Sequence, residues 1–135
     1  MLRYLDSSAL VKLVVAEPES PDLVEHLADP ADEAVCSTLG IVEVTRAVAR
    51  TGLADKASAR LEAVFSAVDL RSIDQGIIAT AAELAPSELR TLDAIHLATA
   101  LELAEELGEF VAYDRRLLEA AAGHGINTAS PSPES

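Results

Sequence analysis

The sequence predicts an α/β domain in which a central, mostly parallel sheet carries helices on both faces, a three-layer α/β/α sandwich. Three observations lead there. Short apolar runs of strand type alternate along the chain with segments of helical apolar period, the order expected when parallel strands are joined by helical crossovers. The length of 135 residues fits one domain of about 100–200 residues. Half of the chain, 50 %, is apolar, enough to bury a core without disulfides or a structural metal. Tyr4, Phe65, Phe110 and Tyr113 are the only aromatic residues and Trp is absent, so Ala, Leu, Val and Ile must build most of that core.

The elements follow in order. Leu2 to Asp6 reads as a strand, and Ser7 to about Ala16 as a helix with Leu10, Leu13 and Val14 on one face. Glu17, Pro18, Ser20 and Pro21 break the pattern, and Pro21 to Ala28 forms a second short helix. Ala34 to Ser37 is strand-like. A helix from Thr38 to about Thr51 ends at Gly52, and another covers Ala54 to Ala67. Val68 to Ile73 is a strand, and Asp74 to Leu84 a helix capped by Asp74. Thr91 to Leu107 has the strongest helical period and closes at Gly108. Glu109 to Tyr113 is a strand, Asp114 to Ala122 a helix ended by Gly123, and Ile126 to Ala129 a last strand. One domain thus spans residues 1–129, and the Ser/Pro-rich residues 130–135 are expected to be a disordered tail.

Composition narrows the function. Cys36 stands alone in a strand-like run, which excludes an internal disulfide and a cysteine zinc cluster and suits a reducing cytoplasm. No signal peptide and no membrane span are expected, since no apolar run approaches 18 residues. Ten Lys and Arg against 23 Asp and Glu give a net charge of −13, which argues against a general nucleic-acid binder. It suits a domain that gathers carboxylates around cations, or one whose partner is basic. The charge is uneven: Arg46, Arg50, Lys56 and Arg60 face only Asp55 within residues 46–60. That run is the expected phosphate track.

In open parallel sheets, sites lie beyond the carboxyl ends of the strands. Two strands end on an aspartate that opens a helix, at Leu5-Asp6-Ser7 and Tyr113-Asp114-Arg115. Glu43 and Asp93 lie in early turns of two other helices. Four carboxylates far apart in sequence are thus candidates to converge on one edge. Each also has a plainer reading. Asp6 and Asp114 stand where an N-cap is wanted, Glu43 has Arg46 and Arg50 within reach on its own helix, and Asp93 suits a helix N-terminus. Their apolar neighbours count against these readings, because an acid near the core needs a metal or a partner. The residues alone leave both open. His96, three residues after Asp93, reads as a hydrogen-bonded core histidine, and His26 and His124 lack zinc-type spacing. There is no G-x-S-x-G elbow, P-loop or G-x-G-x-x-G. A D-x-D phosphatase motif fails at Ser8.

Four segments occur together, in order. Tyr4-Leu5-Asp6-Ser7-Ser8-Ala9-Leu10-Val11-Lys12-Leu13 resembles the opening motif of PIN domains, in particular the VapC toxins of bacterial toxin–antitoxin pairs. Ile41-Val42-Glu43-Val44-Thr45-Arg46-Ala47 resembles their second motif, Leu92-Asp93-Ala94-Ile95-His96-Leu97-Ala98-Thr99-Ala100 the third, and Ala112-Tyr113-Asp114-Arg115-Arg116-Leu117 the fourth. The resemblance implies a PIN-like fold, Mg²⁺- or Mn²⁺-dependent endoribonuclease activity that inhibits translation, a homodimer, and a cognate, VapB-like antitoxin. Asp6 is then the central metal ligand, Glu43 and Asp93 lie beside it, and Asp114 acts directly or through water. Ser7 or Ser8 orients Asp6 or a water. A cleft lined with carboxylates also suits an arginine fork. A basic antitoxin segment is therefore expected to place an Arg among the four acids, its apolar residues on Leu13, Val14, Val15 and Leu23. The rival readings are a PIN-fold DNA nuclease, a metal-dependent phosphatase, and a non-catalytic α/β interaction module.

Overall fold

The computed structural model describes residues 1–134. Its elements run β1 (Leu2–Leu5), α1 (Ser7–Val14), α2 (Ser20–His26), β2 (Glu33–Ser37), α3 (Leu39–Arg50), α4 (Ala54–Ala67), β3 (Asp69–Arg71), α5 (Gln75–Glu83), α6 (Thr91–Glu102), β4 (Leu107–Val111), α7 (Arg115–Gly123) and β5 (Thr128–Ala129). All five strands are parallel, in the order β3-β2-β1-β4-β5. The predicted α/β/α sandwich is therefore the observed fold. No helix among the described residues is long and apolar enough to cross a membrane.

Successive residues of the central strands are equally buried, because both faces of the sheet are covered. Tyr4 and Leu5 of β1, Val35 and Cys36 of β2, and Phe110 and Val111 of β4 are all fully buried. Alternate side chains point to opposite faces, so each pair reports two packed layers. Tyr4 reaches α6 through His96, with α5 packed on α6. Leu5 faces the other layer, where it lines a groove together with Leu13 of α1, Val24 of α2 and Val64 of α4.

Several boundaries differ from the sequence reading for identifiable reasons. The helical period of residues 101–107 continues past the end of α6, yet Leu103 to Glu106 fold as a turn, because β1 recruits Leu107 as a strand partner. Gly108 is consequently a strand residue and not a helix stop. The register shifts there, with Leu2 opposite Leu107 and Arg3 opposite Glu109, so Gly108 is the extra residue of a bulge. A Cβ at that position would lie 1.9 Å from Met1 Cγ. The stop after α7 likewise falls at Gly125, whose φ is +83°, and not at Gly123, whereas Gly52 (φ +76°) closes α3 as expected.

Two further expectations meet packing the sequence does not display. Leu23 is 0 % exposed, part of the core and unable to line a surface groove; Val24, 48 % exposed, stands outside. The segment after residue 129 begins docked: Pro131 is buried, and Tyr113 Oη donates to its carbonyl at 2.6 Å.

Candidate active site

The order of the sheet creates one crevice. β1 lies between β2 and β4, so the chain departs from its neighbourhood in opposite directions, and ligands of open parallel sheets bind at such a switch point. Asp6 follows β1 and is only 4 % exposed. Its backbone N–H continues the ladder to Val111 O at 3.2 Å. Its Oδ1 accepts from Ala9 N at 3.1 Å, capping α1, and from Ser8 Oγ at 2.6 Å. Ser8 Oγ in turn accepts from Tyr113 N at 3.0 Å, which ties the start of α1 to the end of β4. Burial raises the Asp6 pKa to about 6; the Ser8 and Ala9 hydrogen bonds and His96 oppose the rise, and Asp93 adds to it.

Glu43 reaches the crevice from α3, and its surroundings differ from the ion-pair reading. Neither Arg46 nor Arg50 holds it. Glu43 Oε1 accepts from Ser7 Oγ at 2.5 Å and from His96 Nε2 at 2.5 Å. Of the two serines, Ser8 thus holds Asp6, and Ser7 holds Glu43. Gly40 permits this approach of α3, since a Cβ there would lie 2.7 Å from Cys36 Sγ and 3.9 Å from Ser7 Oγ. Burial pushes the Glu43 pKa up, but the hydrogen bonds from His96 and Ser7 outweigh it, aided by the His96 and Arg90 charges, and the net shift is downward.

His96 is 1 % exposed and joins two layers. Its Nε2 meets Glu43, with Ser7 Oγ at 3.2 Å, and its Nδ1 meets Tyr4 Oη at 2.7 Å. Tyr4 Oη also accepts from Ser37 N at 3.0 Å. Burial lowers the imidazole pKa, yet Cys36 and Glu43 override it and raise the value to about 10. The expected core histidine is therefore also the support of a candidate site residue. Its spacing from Asp93 suggested a shared helical face; the partner it meets is instead 53 residues away.

Asp93 and Asp114 complete the arrangement. Asp114 caps α7, Oδ1 accepting from Arg116 N at 2.9 Å and Leu117 N at 3.2 Å. The capping readings of Asp6 and Asp114 thus hold, and in both the capping bonds fall on Oδ1. Arg90 bridges Asp93 and Asp114: its Nε lies 3.2 Å from Asp93 Oδ2 and its Nη2 2.7 Å from Asp114 Oδ2. Burial raises the Asp93 pKa against the pull of Arg90, with Asp114 raising it further. Arg90 stands in a stretch without periodicity, and nothing in the sequence marked it.

The four predicted cations are dispersed. Arg46 and Arg50 are exposed on α3, Lys56 and Arg60 on α4, beyond the turn at Gly52. Arg60 Nε donates to Leu13 O at 2.9 Å, near the end of α1 opposite Asp6, about 10 Å away along a helix rising 1.5 Å per residue.

Among the described residues, no three His, Cys, Asp or Glu side chains close into a ready metal cage; Arg90 holds two of the acids, and His96 and Ser7 a third. The donor set nonetheless fits a hard divalent ion. Carboxylate oxygens are its preferred ligands, and Asp93 raises Asp6 while Asp114 raises Asp93, a repulsion that a cation relieves.

A parallel α/β/α domain with acids beyond the carboxyl ends of its strands defines a class of fold and site, not an activity. Within that class the chain is specific: the PIN domain family matches residues 3–123, and this chain belongs to it. Ribonuclease VapC47 of Mycobacterium tuberculosis is 40% identical over 131 residues, which are 95% of this chain and 96% of that protein. Ribonuclease VapC46 of the same species is 43% identical over 129 residues, 96% and 97% of the two chains. Two solved structures share the fold. VapBC2 from Rickettsia felis, bound to a promoter DNA fragment, gives a TM-score of 0.71 at 13% identity, covering 96% of this chain and 98% of that one. Mycobacterium tuberculosis VapC20, described as a sarcin–ricin loop cleaving toxin, gives 0.68 at 13% identity, covering 96% and 99%.

Proposed function

We propose that this protein is a divalent-metal-dependent endoribonuclease, the toxin of a VapBC-type pair, which inhibits translation by cleaving RNA. Asp93 close enough to Asp6 to raise its pKa and joined to Asp114 by Arg90, with Glu43 held by Ser7 next to Asp6, is the observation that carries this reading, and the full-length similarity to proteins named ribonuclease VapC supports it. Asp6, Glu43, Asp93 and Asp114 would hold Mg²⁺ or Mn²⁺. Such an ion supplies activation of water and stabilisation of the leaving oxygen. The chain's own residues do the rest. Ser8 fixes the Asp6 rotamer, Ser7 and His96 fix Glu43, and Arg46 and Arg50, on the helix of Glu43, attract phosphates. No covalent nucleophile is required. The reading includes a homodimer, a cytoplasmic setting and a VapB-like antitoxin whose basic segment enters the acidic crevice.

The direct test offers labelled structured RNA and supercoiled plasmid side by side to the purified protein. Cleavage of RNA alone is expected, lost in EDTA and restored by Mn²⁺. Equal cutting of plasmid, or RNA cleavage that survives EDTA, overturns the reading.

The His96 support gives a second expected result. Partners that orient metal ligands typically contribute about 10–100-fold to affinity or activity. His96→Leu should weaken Mn²⁺ binding and cleavage within that range, and His96→Gln, which keeps a donor, should recover part of both. Calorimetry and cleavage rates check this; equal behaviour of the two variants would show that the ring only fills space.

A further inference from the structure

The strongest unassigned group is Arg90. It is the residue before α6, and its carbonyl accepts from Ala94 N at 2.9 Å, so the helix fixes its backbone. Its side chain is different: 74% exposed and, among the described residues, hydrogen-bonded to the Asp93 and Asp114 carboxylates alone. A guanidinium carries five N–H donors, of which those contacts use two. The oxygen it takes on Asp114 is Oδ2, while Oδ1 serves the cap of α7. Arg90 therefore sits on the acids a divalent ion would need, with most of its donors turned outward. Beside it, Arg115 and Arg116 open α7, both exposed, and among the described residues their side chains make no hydrogen bond or ion pair. Arg90 on the Asp93/Asp114 pair, and two exposed arginines directly after Asp114, thus concentrate positive charge here in a chain of net charge −13.

We propose that Arg90 is an exchangeable counter-ion of the site: it bridges Asp93 and Asp114 before a divalent ion enters, and once displaced it binds the RNA backbone together with Arg115 and Arg116. This rests on the metal-dependent ribonuclease reading. Exposed ion pairs are weak and their geometry is easily given up, which makes Arg90 displaceable where a buried pair would not be. An arginine fork also suits phosphate as well as carboxylate. Two opposite consequences follow. Because Arg90 and the ion compete for the same oxygens, removing the arginine tightens metal binding. Because it also grips phosphate, removing it weakens RNA binding. Damage to the fold would weaken both.

The test titrates the wild type, Arg90→Gln, Arg90→Lys and Arg115→Gln/Arg116→Gln with MnCl₂ by calorimetry at fixed ionic strength, and measures KM for labelled RNA across a salt series. Arg90→Gln is expected to bind Mn²⁺ about threefold to tenfold more tightly, the span set by two exposed pairs. Its KM should rise by a similar factor and the salt slope should flatten by about 0.7, the value for one contact on a single strand. Arg90→Lys should lie between it and the wild type. The Arg115/Arg116 variant should raise KM with Mn²⁺ affinity unchanged. If the wild type binds Mn²⁺ and cleaves RNA, but Arg90→Gln leaves Mn²⁺ affinity or KM unaltered, the counter-ion role is wrong and the ribonuclease reading stands. If the wild type takes up no Mn²⁺, both fall.

Discussion

Asp6→Asn is expected to lose RNA cleavage by more than about 100-fold while the protein becomes more stable at neutral pH. The activity loss should exceed the 10–100-fold typical of residues that merely support a ligand, because Asp6 is proposed to touch the ion itself. The stability gain follows from its pKa. Burial raises Asp6 from 3.8 to about 6, so the folded state holds the proton more tightly than the unfolded chain. Stability from this group is therefore full below about 4 and is lost as pH rises through about 6. Asn carries no such penalty and still caps α1 and accepts from Ser8. The raised pKa corresponds to about 3 kcal/mol at most, several degrees in melting temperature for a domain of this size. Melting curves from pH 4 to 8 should show the variant gaining on the wild type up to about pH 6 and then running parallel. Wild-type cleavage by pure variant would remove Asp6 from the site, and a stability gap independent of pH would refute the burial argument.

The second large effect lies in the core. Phe110 is 0% exposed, and its ring stacks on Tyr4 with centroids 5.1 Å apart and planes 8° apart. Tyr4 carries His96 and the Ser37 amide on its hydroxyl. Phe110→Ala should cost about 3–5 kcal/mol, a large share of the 5–15 kcal/mol typical of a domain. The small aliphatic residues of this core cannot refill the gap. Denaturant titration should show a lower midpoint at unchanged slope, and Mn²⁺ binding should weaken as Tyr4 loses its support. A cost below about 1 kcal/mol would mean that the sheet and α6 close over the space.

Most of this architecture was legible because local pattern encodes it. The alternation of strand and helix predicts the parallel sheet, and the acids could be singled out because each stands at a strand's carboxyl end or in an early helical turn. Local pattern also misled where it outran the element, as at residues 103–107, where helical spacing persists into a turn and a bulge. What stayed hidden depends on which elements meet. Periodicity says that His96 faces inward, not that Glu43 waits there. It counts Arg46 to Arg60 as one basic run, although the turn at Gly52 places the four on two helices. Arg90 belongs to a segment with no period at all, and its role is visible only when Asp93 and Asp114 are seen on either side of it.

The margins of the sheet bear on how copies of this protein can meet. β3 has three residues and β5 only two, and the long-buried strands lie between them. An exposed strand edge is a template for another chain, and short edges are one way proteins blunt it. Here neither margin offers enough free amides and carbonyls to seed a continuous intermolecular sheet. Contacts between molecules are left to helical surfaces, where Val42, Ile78 and Leu92 stand 56%, 56% and 47% exposed. Side-chain complementarity can choose partners on such surfaces, whereas backbone pairing accepts almost any strand.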